Sequence, residues 1–135
     1  MLKIEHIGIA VKSLETSNEI FSKLFNKVHY KEEEVASEGV KTSFFQLSDS
    51  KIELLEATNA ESPIAKFIEK KGEGIHHIAF EVADIWAEMK RLEDEGFTLL
   101  NTEPKNGADN KLVCFLHPKN TNSVLIELCQ EKNKS

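Results

Sequence analysis

Hydrophobic and polar positions alternate from the start of the chain. In His6-Ile-Gly-Ile-Ala-Val11 an extended backbone sends successive side chains to opposite faces, so His6, Gly8 and Ala10 share one face while Ile7, Ile9 and Val11 share the other. The same pattern returns in His77-Ile-Ala-Phe-Glu-Val82, at an offset of 71 residues. There His77 and Ala79 lie opposite Ile78, Phe80 and Val82, so each histidine has small neighbours on its own face and room beside it. Seven residues after each histidine stands a helix-capping residue, Ser13 or Asp84, whose side-chain oxygen can accept a free backbone N–H. Leu14, Phe21, Leu24 and Phe25 then recur at helical spacing, as do Ile85, Met89 and Leu92, giving each helix one apolar stripe to lay on a sheet. Asn26 and Gly96, residue types suited to the left-handed backbone just past a helix, end them.

Three strand-like stretches follow each helix: 28–35, 40–47 and 51–56, then 97–100, 112–117 and 124–128. The last of each set repeats as well, Ile52-Glu53-Leu54-Leu55 matching Ile126-Glu127-Leu128-Cys129 at an offset of 74. The order is βαβββ twice, about 1–57 and about 75–130. Ser62, Pro63 and Gly72 mark the cap, first residue and stop of a connecting helix over about 62–71. The expectation is an α+β fold of two βαβββ modules within one domain spanning 1–135.

Composition narrows the possibilities. A chain of 135 residues that is 40% hydrophobic can build a real core, and only 131–135 reads as a loose tail. A net charge of −6 disfavours the broad basic surface that nucleic acid needs. The opening MLKIEHIGIAV is too short and too interrupted for a signal peptide or a membrane span, so a cytoplasmic protein with no membrane partner is expected. Cys114 and Cys129 each sit in an apolar strand and read as buried free thiols.

The chemistry is expected in the strand centres. Glu53 and Glu127 stand in otherwise apolar runs, where a carboxylate loses hydration and needs a cation or strong donors. His6 precedes Glu53 by 47 residues and His77 precedes Glu127 by 50. Taken singly, each would be an ordinary strand residue. As two histidines and two glutamates in equivalent places, they form an N₂O₂ set suited to a divalent ion, with cobalt, nickel, manganese, zinc and magnesium not distinguished. His76 points to the other face from His77, His29 adjoins the charged run 31–34, and His117 precedes a proline at a strand end, so none of them is assigned as a ligand. The three consecutive glutamates 32–34 read as a solvated edge.

The segments EHIGIAVKSL (5–14), KIELLE (51–56), SPIAKFIEKKGEGIHHIAFEV (62–82) and FLHPKNTNSVLIEL (115–128) resemble the vicinal oxygen chelate superfamily, and within it the methylmalonyl-CoA epimerases. The resemblance implies an open mixed sheet, or half-barrel, curling around a metal cleft, with His6, His77 and Glu127 at its ligand positions. Glu53 is a ligand by the internal repeat, some relatives having an amide there. The resemblance also implies an acyl-CoA substrate, a homodimer, and a reaction in which the proton between a thioester and a carboxylate is removed and then returned on the opposite face. Glu127 is the expected base. The second proton carrier is open: Thr42 stands where some relatives have a carboxylate, which leaves Glu53 or a bound water. Glu5 and Asn122-Ser123 also depart from the usual pattern, away from the expected ligands. Lys105, Lys111 and Lys119 are candidates for the negative charges of CoA, although plain surface lysines account for them equally well. Alternatives are lactoylglutathione lyase activity on a glutathione hemithioacetal and a metal-free small-molecule binding protein on the same scaffold.

Overall fold

The chain, described over residues 1–132 by a computed structural model, is a mixed α+β structure of two compact units. One comprises His6–His76; the other comprises Met1–Glu5 and, among the described residues, 77–132. The elements are β1 (Lys3–Ala10), α1 (Leu14–Phe25), β2 (Lys31–Val35), β3 (Val40–Leu47), β4 (Ser50–Ala57), α2 (Pro63–Lys71), β5 (Gly74–Glu81), α3 (Ile85–Asp94), β6 (Lys105–Gly107), β7 (Lys111–Leu116) and β8 (Ile126–Glu131). This is the βαβββ order, twice, with α2 as the connector.

In the His6–His76 unit the strand order is β2-β3-β4-β1. β4 runs antiparallel to β3 and parallel to β1, with Gly8 opposite Glu53 and Phe44 on Glu53's other side. α1 covers one face: Val11, Leu14, Phe45 and Leu54 form its buried cluster, with Phe21 and Phe25 packed against it. α2 covers one end of the other face, where Ile64 meets Ala10, Val40 and Leu55. The rest of that second face carries His6 and Glu53.

The second unit repeats the arrangement as β5-β8-β7-β6. Ala79 and Phe115 flank Glu127 as Gly8 and Phe44 flank Glu53. α3 lays Ile85, Met89 and Leu92 on Cys114, Leu116 and Leu128. Both cysteines are buried and free, as expected.

Helix entry is anchored alike in the two units. Ser13 and Asp84 cap α1 and α3 by accepting from Thr16 and Ala87, which satisfies donors that the first helical turn cannot. The N–H of Leu14 donates to the Glu56 carboxylate, and that of Ile85 to the Gln130 side chain. Asn26 has the left-handed backbone that its position past α1 requires, with φ of 57°, and Gly96 has φ of 98°.

Several strand boundaries differ from the sequence expectation: β4 and β7 by one residue at each end, and β8 by a start at Ile126 with Val124 outside it and exposed. Residues 97–100 form no strand: Leu99 makes only an isolated bridge to Leu116, and the edge strand is β6 at Lys105–Gly107. Phe97 and Leu99 pack on the α3 cluster, so their apolar character reflects burial without a ladder. β2 starts at Lys31, leaving Val28 exposed. Glu131 pairs with Lys111 inside β8, so the chain is ordered one step into the expected tail, and residues 133–135 lie outside the described residues.

Candidate metal and active site

In the His6–His76 unit, β1 and β4 turn His6 and Glu53 to the same face. His6 is 4% and Glu53 5% exposed, and His6 Nδ1 lies 3.1 Å from Glu53 Oε2. Gly8, opposite Glu53 in the register, has no side chain, which leaves the carboxylate free to lean toward His6. Phe44 walls the other side.

In the second unit, β5 and β8 do the same with His77 and Glu127. Both are 6% exposed, and His77 Nε2 lies 3.1 Å from Glu127 Oε1. Ala79 is the small neighbour and Phe115 the wall, its ring edge-on to the His77 imidazole at 5.9 Å. Each unit therefore buries one imidazole and one carboxylate in contact.

The donor chemistry fits a divalent ion. Oxygen and nitrogen ligands stand about 2.1 Å from such an ion, so neighbours on an octahedron are about 3.0 Å apart. Each pair, at 3.1 Å, has the span of one such edge. A nitrogen–carboxylate set without thiolate suits the later first-row ions, manganese and magnesium. Cys129 shares a face with Glu127 but packs among Ala79, Val113 and Phe115, its thiol donating to the Phe80 carbonyl at 3.6 Å.

The remaining candidates lie elsewhere. The His76 ring stacks edge-on against Phe67. His29 contacts Glu32 on the edge strand β2, where Lys41 and Asn18 also meet that glutamate. His117 caps a short turn by accepting from the N–H of Lys119. Among the three lysines, Lys111 is largely buried with its ammonium 3.9 Å from Glu5, which removes it from the surface set. Lys105 holds its ammonium 5.6 Å from the Phe115 ring centroid.

Three residues beside the site, Phe44, Phe115 and Lys51, carry no expectation from the sequence. Phe44 and Phe115 are separated by the same 71 residues as the two histidines, a signal present in the chain. Lys51 is 5% exposed, and its ammonium is 3.9 Å from Glu53 Oε2 and 5.7 Å from the Phe44 ring centroid. Its two-residue spacing from Glu53 places both on one face of β4.

Residues 5–115 match the Glyoxalase/Bleomycin resistance protein/Dioxygenase superfamily. The chain belongs to that superfamily, among its methylmalonyl-CoA epimerase-like members. It is 41% identical to the ethylmalonyl-CoA/methylmalonyl-CoA epimerase of Cereibacter sphaeroides over 95% of this chain and 97% of the relative. It is 37% identical to the uncharacterized protein YqjC of Bacillus subtilis, over 98% of this chain and 94% of that one. A variant of Streptomyces coelicolor methylmalonyl-CoA epimerase, solved in complex with 2-nitronate-propionyl-CoA, superposes with a TM-score of 0.92 at 34% identity, over 98% of this chain and 99% of the other.

Proposed function

We propose that this chain is a methylmalonyl-CoA epimerase that works with a divalent metal held by His6, Glu53, His77 and Glu127. The observation that carries this reading is the doubled pair: a buried imidazole against a buried carboxylate, at 3.1 Å, in equivalent strands of two βαβββ units. Each pair offers one nitrogen and one carboxylate oxygen at equivalent places, the donor types that a divalent ion takes. The similarity to epimerases supports the same reading.

When bound, the ion would act as a Lewis acid toward the substrate's oxygens, lowering the energy of charge that develops there. The rest falls to the chain. The hydrogen between a thioester and a carboxylate is acidic, and Glu127 takes it: the C–H bond breaks, its electron pair moves into the thioester carbonyl, and the proton rests on the carboxylate. Return of a proton to the opposite face inverts the centre. Thr42, 1% exposed, lacks a group basic enough to carry that proton, whereas Glu53 lies in the other unit's equivalent of the Glu127 position and is assigned the task. Phe44 and Phe115, beside the two glutamates in the register, present apolar surface to them and limit water there. Lys105 and Lys119 are assigned to the negative charges of the CoA portion, and the protein is expected to act as a homodimer.

The test is incubation with methylmalonyl-CoA in deuterated water. Incorporation of deuterium at the α-carbon, with interconversion of the two epimers, is the expected result. Absence of exchange together with turnover of a glutathione hemithioacetal would replace this reading with lactoylglutathione lyase. Failure to retain any metal after reconstitution would favour a binding protein.

A further inference from the structure

Lys51 carries an inference that rests on the metal-site reading above and deepens it. Lysine is among the side chains least often buried, because its flexible stem ordinarily lets the ammonium reach water. Lys51 is 5% exposed, and its ammonium is directed to Glu53 Oε2 at 3.9 Å. The same oxygen faces His6 Nδ1 at 3.1 Å. The ammonium also lies 5.7 Å from the centroid of Phe44, the ring beside Glu53 in the register, where a cation is favoured by the ring's negative face. Glu53 is thus held between an imidazole and a buried cation.

Charge gives this arrangement its consequence. Two neutral imidazoles and two carboxylates would cancel a divalent ion, and a neutral centre stabilises an anionic substrate and a developing enolate poorly. A fixed ammonium beside one ligand oxygen returns one positive charge to the centre. In a buried site that charge is weakly screened and acts over several ångströms. We propose that Lys51 is a positioning residue that sets the charge of the metal centre, offsetting Glu53 and holding its Oε2 in place. It has no role here as an acid or a base.

The test is the affinity of the purified chain for Co²⁺, measured by competition with a chromophoric chelator, with circular dichroism to confirm folding. Lys51→Met is expected to tighten Co²⁺ binding by about tenfold or more, because a cation near the ion is removed. Glu53→Gln is expected to weaken it by about tenfold or more, and the double variant to return to within about threefold of the original chain, since the two charge changes cancel. Lys51→Arg keeps the cation and stays near the original affinity. Should Lys51→Met fail to fold, Lys51→Gln in the Glu53→Gln background asks the same question, with rescue expected. A lysine that merely fills space would give equal or weaker binding in Lys51→Met and no rescue in the double variant, and either result overturns the proposal while leaving the epimerase reading in place. No Co²⁺ binding by the unmodified chain overturns both.

Discussion

Replacing Glu127 by glutamine separates the charge of this residue from its shape. The two side chains have nearly the same volume, so no cavity opens beside Phe115 or Ala79 and packing is conserved. The contact with His77 at 3.1 Å loses the negative charge of its oxygen partner. That difference is about 1 kcal/mol of stability for a buried group, a shift of a few degrees in Tm for a chain of this length. The effect on chemistry is expected to be larger. Loss of a positioned general base costs about 10²–10⁴ in rate, equivalent to roughly 3–5 kcal/mol of barrier. The assay is deuterium incorporation at the α-carbon of methylmalonyl-CoA, followed by proton NMR on protein whose Tm, circular dichroism and bound metal have been checked, because Glu127 is also a proposed ligand. Glu127→Asp, which keeps the charge on a shorter stem, should retain more activity than the glutamine. A folded Glu127→Gln that exchanges deuterium within about tenfold of the original chain would refute the role of Glu127 as base.

Removal of metal by a chelator should abolish exchange, and addition of Co²⁺ should restore it; full exchange by metal-depleted protein would exclude a required ion. Phe45 is fully buried against Phe21 and Phe25, so Phe45→Ala should cost about 3–5 kcal/mol in urea unfolding, and a cost below about 1 kcal/mol would contradict this packing. Burial raises the Cys114 thiol from an ordinary 9.0 to about 11. Its contribution to stability is complete below pH 9, where the thiol is protonated folded and unfolded, and is lost as pH rises toward 11, because only the unfolded chain ionises in that window. The loss across that window is about 2–3 kcal/mol, and Cys114→Ala should lack this part of the alkaline decline in stability shown by the original chain; an identical decline in urea unfolding between pH 9 and 11 would refute it. Gly39 has φ of 62° and a Cβ added there would stand 2.9 Å from the Cβ of Ser62, so Gly39→Ala should lower Tm; an unchanged Tm would show that the α2 cap can shift freely.

The pattern along the chain was sufficient for the doubled βαβββ order, the helix caps at Ser13, Asp84 and Ser62, and the pairing of a histidine strand with a glutamate strand in each half. These features are local: a two-residue alternation, a capping side chain three residues from its donor, and a repeat at a fixed offset all act over short stretches of backbone. The short edge strand β6 was not legible, because Lys105-Asn-Gly107 has no apolar alternation and becomes a strand only through β7 beside it. Residues 97–100 misled for the converse reason, since an apolar run that packs against a helix looks the same in sequence as one that joins a sheet. The contacts that give the site its character also waited on tertiary structure. Nothing local tells a buried lysine from a solvated one, and Lys51 lies against Glu53 because β3 brings Phe44 alongside and closes that face of β4. Residue types and strand faces are properties of the chain, whereas burial and the charge that burial leaves unscreened belong to the packed sheet.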